Sequence, residues 1–223
     1  MPDSIAAFLG PTLVAVAALM PIVNPIGTAP LFLSMSADLP SHARHLLARR
    51  VAINAFLLLV AAMLAGSHIL EFFGISIPIV RVGGGLLVIA NGWRLINAED
   101  RLDDVTPSPR EAWERELGPR AFYPLTFPLT VGPGSISVAV TLGARLTDRG
   151  GIADLVSETV AVAVIAVTVF LSYRFSSRLV VSLGTTGTSV FLRLSSFILL
   201  CVGVSIFWSG LAALIGELRQ AAP

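Results

Sequence analysis

The chain has 223 residues, 55% of them hydrophobic and 13% charged, with fifteen basic and fourteen acidic side chains and a net charge of +1. A soluble domain carries about 25% charged residues, so the composition excludes a soluble globular domain and places the chain in a lipid bilayer. The near-neutral balance gives no basis for a nucleic-acid partner, and one cysteine excludes an intrachain disulfide or a zinc-type ligand cluster.

A membrane-spanning helix needs about 20 apolar residues, and six such segments follow one another. The first runs over residues 5–35, with Asp3 the only side-chain charge before it. No basic stretch precedes it, so it reads as a span and not as a secretory signal. It is interrupted by Asn24-Pro25-Ile26-Gly27-Thr28. A loop carrying His42, Arg44, His45, Arg49 and Arg50 leads to the second span, residues 51–70, which ends near His68 and Glu71. The histidines read as solvated and facing headgroups, not as a metal site. The third span, residues 77–96, has Arg81 at its start, Gly83-Gly84-Gly85 for close helix approach, Asn91 at depth and Arg94 near its end.

A polar stretch over residues 97–120 follows, with Arg101, Arg110, Arg115 and Arg120; Trp113 within it suits an amphipathic surface helix. The fourth span, residues 121–146, is interrupted by Gly132-Pro133-Gly134-Ser135. The fifth covers residues 155–173, with Glu158 at its exposed start, and the sixth residues 190–214. A proton-coupling role and simple exposure both fit Glu158. Cys201 falls in the sixth run and reads as a buried, inert thiol. Trp93, Tyr173 and Trp208 suit the interfacial aromatic belt. The apolar runs are continuous, not alternating, which argues against a transmembrane barrel. The expected class is an all-α integral membrane protein.

Arginine counts set the expected orientation. The first loop, the central stretch and the fifth loop (Arg174, Arg178) carry most of the charge, against Arg145, Arg149 and Arg219 on the other side. Positive charge stays in the cytoplasm, so both termini are expected in the periplasm. Two pairs of landmarks recur at nearly equal offset. Pro25 matches Pro133, and Phe73-Gly74-Ile75-Ser76 before Arg81 matches Leu183-Gly184-Thr185-Thr186 before Arg193. Duplication of three spans gives two inverted three-helix repeats, residues 1–96 and 121–223, joined by a cytoplasmic linker, residues 97–120, with the first and fourth helices broken.

Paired breaks at membrane depth free backbone amides and carbonyls, which only protein or a wet cavity can satisfy. Half-helix N-termini attract a carboxylate, while unwound carbonyls attract an ammonium or a coupling cation. The candidate binding residues are therefore Asn24, Pro25, Gly27, Thr28, Gly132, Gly134 and Ser135, with Thr28 and Ser135 as expected helix caps. Asn91, Thr130, Arg81 and Arg193 stand behind them. Each arginine reads equally as a gate or anchor, or as a side chain snorkelling to the interface. No catalytic constellation, metal ligand set, cofactor or nucleotide motif is legible, so the chain is not expected to be an enzyme.

The segments Met20-Pro21-Ile22-Val23-Asn24-Pro25-Ile26-Gly27-Thr28-Ala29-Pro30-Leu31-Phe32, Phe73-Gly74-Ile75-Ser76-Ile77-Pro78 with Arg81 and Gly83-Gly84-Gly85, and Phe127-Pro128-Leu129-Thr130-Val131-Gly132-Pro133-Gly134-Ser135-Ile136 resemble the MarC family of six-span bacterial inner-membrane proteins. The likeness covers essentially the whole chain and departs from the family pattern at Arg193-Leu194-Ser195-Ser196. It implies a small exporter or amino-acid transporter of the inner membrane, similar to SnatA-like carriers of glycine and alanine. Secondary transport of small neutral solutes by alternating access is the resulting expectation, with a proton or sodium as coupling ion undecided. Drug or metabolite export, a passive small-solute channel and a structural role are the alternatives.

Overall fold

The computed structural model describes residues 2–97, 117–149 and 151–221 and is helical throughout them. Arg101, Arg110, Arg115 and the surface helix expected at Trp113 lie outside the described residues. Helices α1 (Pro2–Val23) and α2 (Pro25–Met35) are separated by Asn24 alone. α3 (Ser41–Phe72) and α4 (Ile77–Ile96) follow. Beyond the polar stretch come α5 (Ala121–Thr130), an irregular segment interrupted by extended Tyr123 and Phe127, α6 (Pro133–Arg149), α7 (Ile152–Arg174) and α8 (Ser176–Ala221). Five helical segments are long and apolar enough to cross a membrane, and α5 with α6, bent by 74°, makes a sixth. The all-α integral membrane class is therefore observed, with the first and fourth spans broken where the sequence placed the breaks.

Two loops expected from charge are absent. α3 has 32 residues, roughly 48 Å at 1.5 Å per residue, well beyond a hydrocarbon core of about 30 Å. The surplus is its arginine-rich beginning, so Arg44, Arg49 and Arg50 sit on helix and not on a loop. Likewise only Phe175 separates α7 from α8, and Arg174 and Arg178 are helical, stacking on the Phe175 ring at 5.8 and 5.4 Å. α8 begins well before residue 190 and bends at Gly184, whose φ of 66° no side-chain-bearing residue adopts cheaply. Gly74, between α3 and α4, has φ 67°. The two glycines are the landmarks matched in the sequence, and both have a positive φ.

The main core gathers Leu19, Val23, Phe32, Leu47, Leu59, Met63, Leu125, Ile165 and Tyr173 from α1, α2, α3, α5 and α7, each under 2% exposed. α4 pairs most extensively with α8, through glycines that let backbones meet. A Cβ on Gly92 would stand 2.8 Å from the Leu200 amide, and one on Gly203 2.7 Å from the Ile89 amide. Gly84 turns to α6 and meets Ser137 at 2.6 Å. Small residues drive such contacts because lipid tails compete equally well for large apolar side chains. Leu57, Leu64, Val167 and Phe197 accordingly stay exposed on the outer surface. Cys201 is exposed on α8 and not buried as expected, because the glycine side of that helix is the one facing α4. Glu158, expected at an exposed helix start, is 7% exposed. It shares α7 with Ser157, whose carbonyl accepts from the Thr12 hydroxyl of α1 at 3.2 Å.

At the arginine-rich end two guanidinium groups tie the elements together. Arg120, just before α5, grips Asp38 with both Nη atoms at 2.7 and 2.9 Å and donates to the Met35 carbonyl at 2.9 Å. Arg44 donates to the carbonyls of Ser36 and Leu39 and to the Ser177 hydroxyl at 3.3, 3.1 and 3.1 Å. Met35 ends α2, and Ser36 and Leu39 belong to the turn after it, so the two guanidinium groups fasten that turn to the elements around it.

Candidate functional site

Asn24 sits in the left-handed region (φ 45°, ψ 57°), the one described non-glycine residue with positive φ. Asparagine tolerates that conformation, and here it is put to use. Its side-chain oxygen accepts from the Gly27 amide at 3.2 Å and caps α2. The cap belongs to Asn24, where Thr28 was expected. The Thr28 hydroxyl lies 3.1 Å from the Asn24 carbonyl and 3.0 Å from the Tyr173 hydroxyl. The missing Cβ of Gly27 makes room for the Asn24 carboxamide, since an added methyl would meet Oδ1 at 2.6 Å. Pro25 occupies the first helical position, where an amide is dispensable. Asn24→Ala is expected to lose both the cap, worth about 0.5–2 kcal/mol, and tolerance of left-handed backbone, about 1–2 kcal/mol. Asn24→Gly should lose only the cap, so its melting temperature should lie between wild type and the alanine variant.

The second break is built differently. Residues 123–130 read Tyr-Pro-Leu-Thr and Phe-Pro-Leu-Thr in tandem. Tyr123 and Phe127 are extended, and each is joined by a cis peptide bond to the proline after it. Each proline removes an amide from the ladder, and each threonine answers a carbonyl five residues back. Thr126 donates to Ala121 at 2.7 Å and Thr130 to Leu125 at 2.6 Å. The Val131 amide repeats that step to Thr126 at 2.8 Å. Threonine hydroxyls thus serve two carbonyls of the interrupted segment.

The two breaks meet at Tyr173. Its ring is fully buried and stacked on Phe32, with centroids 4.4 Å apart and 12° between planes. Its hydroxyl lies 3.0 Å from Thr28 Oγ1 and 2.8 Å from Thr130 Oγ1. Three hydroxyls share three protons. The chain Thr28 to Tyr173 to Thr130 to the Leu125 carbonyl uses each once. The sequence placed Tyr173 in the interfacial belt; the structure corrects this, because Tyr173 lies on the face of α7 that packs against α2 and α5, while Arg174 next to it is exposed. Trp93 and Trp208 remain 65% exposed, as expected of that belt.

Beside this hub lies a cleft of about 50 Å³, room for on the order of four water molecules. It brings together Asn24, Thr28, Thr130, Gly132, Gly134 and Ser135 from both breaks and Asn91 from α4. Of the sequence-expected residues, Pro25 and Gly27 lie behind the wall as parts of the cap. Gly134 gives α6 its approach to α4, since a Cβ there would collide with Val88. Arg81 is outside the cleft and donates from Nε to Thr141 of α6 at 3.4 Å. Arg193 is also outside, in an open recess of α8 with Thr186 and Ser189. Arg94 lines the cleft and was counted in the sequence only toward orientation. Its Nη2 donates to Asn91 Oδ1 at 3.3 Å. Ser135 is 1% exposed and lines the cleft. It is not a cap: its hydroxyl has no hydrogen-bond partner among the described residues.

Comparison with known proteins completes the description. The profile described as "MarC family integral membrane protein" matches residues 11–215. This chain belongs to the MarC family. The inner membrane protein MarC of Escherichia coli O1:K1, of strain UTI89 and of strain K12 are each 30% identical to it over 203 residues. The matched region covers 88% of this chain and 92% of each relative. No solved structure matches. Both breaks, Tyr173 and Arg94 fall within the MarC region, and the chain is a multi-pass protein of the inner membrane.

Proposed function

We propose that this MarC-family protein is a secondary transporter of small neutral solutes, with small neutral amino acids such as glycine and alanine as its substrates. The observation that carries the reading is the polar cleft formed where two Pro/Gly-broken helices meet. Broken helices facing one another are how many carriers build a midplane site from backbone groups. The cleft is lined by small and polar residues and by no aromatic ring on which a large drug could stack. The absence of any legible nucleotide motif favours a secondary mechanism. Two inverted repeats are part of the proposal; the matching φ of Gly74 and Gly184 and the pairing of α4 with α8 support it. So is an orientation with both termini in the periplasm, supported by Arg44, Arg94, Arg120 and Arg174 gathering at one end.

Uptake and counterflow of labelled glycine and alanine in proteoliposomes test the reading, with and without a proton or sodium gradient. Exchange of internal for external alanine is the expected result. Uptake without counterflow would replace the carrier with a channel. No flux of any small neutral amino acid through correctly inserted protein would overturn the transport reading for this substrate class.

A further inference from the structure

The groups that meet in the cleft are unequal in kind. Among its lining residues Arg94 is the sole charged side chain, and no carboxylate is present. Asn91 turns its carboxamide so that Oδ1 takes the Arg94 proton, which leaves Nδ2 as a donor. That Nδ2 would stand 3.8 Å from a Cβ on Gly132, on the cleft side of the break. α6 begins at Pro133, and its first backbone bond to a carbonyl outside the helix comes from Ile136 to Gly132 at 3.1 Å. The Gly134 and Ser135 amides therefore precede the ladder and find no acceptor among the described residues. The Ser135 hydroxyl, buried and lining the same cleft, finds none either. That oxygen stays open to the cleft, so a solute bound there can supply the partner it lacks.

We infer that the cleft recognises its solute by the carboxylate. One oxygen sits at the first turn of α6 between the Gly134 and Ser135 amides and the Ser135 hydroxyl. The other faces Asn91 Nδ2, with Arg94 supplying the countercharge at the arginine-rich mouth. A helix N-terminus of this length carries about half a positive charge, which adds to that of the guanidinium. The inference rests on the transport reading and sharpens it. The solute's ammonium has no acidic partner and is dispensable, so small monocarboxylates share the site with amino acids.

The purified full-length protein is titrated with alanine, propionate and alaninamide, reading binding by thermal shift and by competition with labelled alanine. Alanine and propionate are expected to bind and alaninamide to bind at least tenfold more weakly. Arg94→Gln and Ser135→Ala should each weaken alanine and propionate alike, by tenfold or more and by several-fold, and Arg94→Lys should restore part of the loss. Arg94 is exposed, so its variants report on the solute and not on folding. Equal binding of alanine and alaninamide, or affinities unchanged in both Arg94→Gln and Ser135→Ala, would overturn the carboxylate inference while leaving a solute-binding cleft. Arg94-dependent propionate binding without alanine counterflow would uphold the anion site and overturn amino-acid transport instead.

Discussion

Tyr173→Ala is expected to destabilise the protein by about 3–5 kcal/mol, the usual cost of deleting a large buried aromatic ring. The ring is fully enclosed and stacked flat on Phe32, and the close-packed surroundings have no side chain free to fill the space. Tyr173→Phe keeps the ring and removes only the hydroxyl. Thr28 can then donate to the Asn24 carbonyl and Thr130 to the Leu125 carbonyl, bonds whose geometry is already in place at 3.1 and 2.6 Å. No donor is stranded, so the phenylalanine variant should lose about 1 kcal/mol. Thermal unfolding of the purified proteins in one detergent separates the two. Equal losses in both variants would mean that the hydroxyl bridge, and not the ring, holds the breaks together. An alanine variant as stable as wild type would remove Tyr173 from the core altogether.

Gly143→Ala should be nearly as damaging, although it adds a single methyl. That methyl would fall on the Met63 carbonyl oxygen of α3, and a backbone atom cannot rotate away as a side chain can. α3 and α6 must separate, at a cost of about 1–3 kcal/mol for overpacking, and the contacts next to Leu59 and Met63 loosen with them. Gly83→Ala is the matched control. Nothing lies within 4 Å of its would-be Cβ, so the helix gains the propensity of alanine over glycine, up to about 1 kcal/mol. Opposite signs of the two melting shifts are the expected result. A neutral Gly143→Ala would show that the α3 and α6 contact is slack.

The residues that were legible in the sequence are those whose effect is local. Proline and glycine act on their own backbone, so Asn24-Pro25 and Gly132-Pro133-Gly134 marked the breaks, and the polar groups beside them marked the cleft. What depends on another helix was not legible. Thr28 was assigned to a cap because capping is judged from the next three residues, whereas its position is set by Tyr173, 145 positions away. Tyr173 itself sits at a helix end, where an aromatic residue ordinarily meets the interface, and only the packing of α2 and α5 against its face of α7 buries it. A signal was present: the repeated aromatic-Pro-Leu-Thr tetrad offers threonine hydroxyls in pairs, and a buried tyrosine needs such partners. Arg94 was legible as charge but not as a wall of the cleft, because its direction depends on Asn91 one turn earlier on the same helix. The sixth span, drawn over residues 190–214, extends over Thr186–Arg219 and begins just after the kink at Gly184.

The two fastened ends of α2 give the cleft an asymmetric build. Near its first turn α2 is fastened to α5 through Thr28, Tyr173 and Thr130; at its last turn it is fastened to the α5 entry through Met35, Asp38 and Arg120. That wall is cross-braced, like a strut pinned at both ends. The facing wall is α4. It is tethered to α6 by the Ser137 bond to the Val80 carbonyl and by Arg81 with Thr141, all in its first two turns. Beside the cleft it is held by packing, with Val88 against Ile22 and Leu199 and the glycines of α4 and α8 set backbone to backbone. One wall of the cleft is thus held by directional bonds at both ends of α2, and the other by close packing of α4 along α8 out to Gly92, two residues before Arg94.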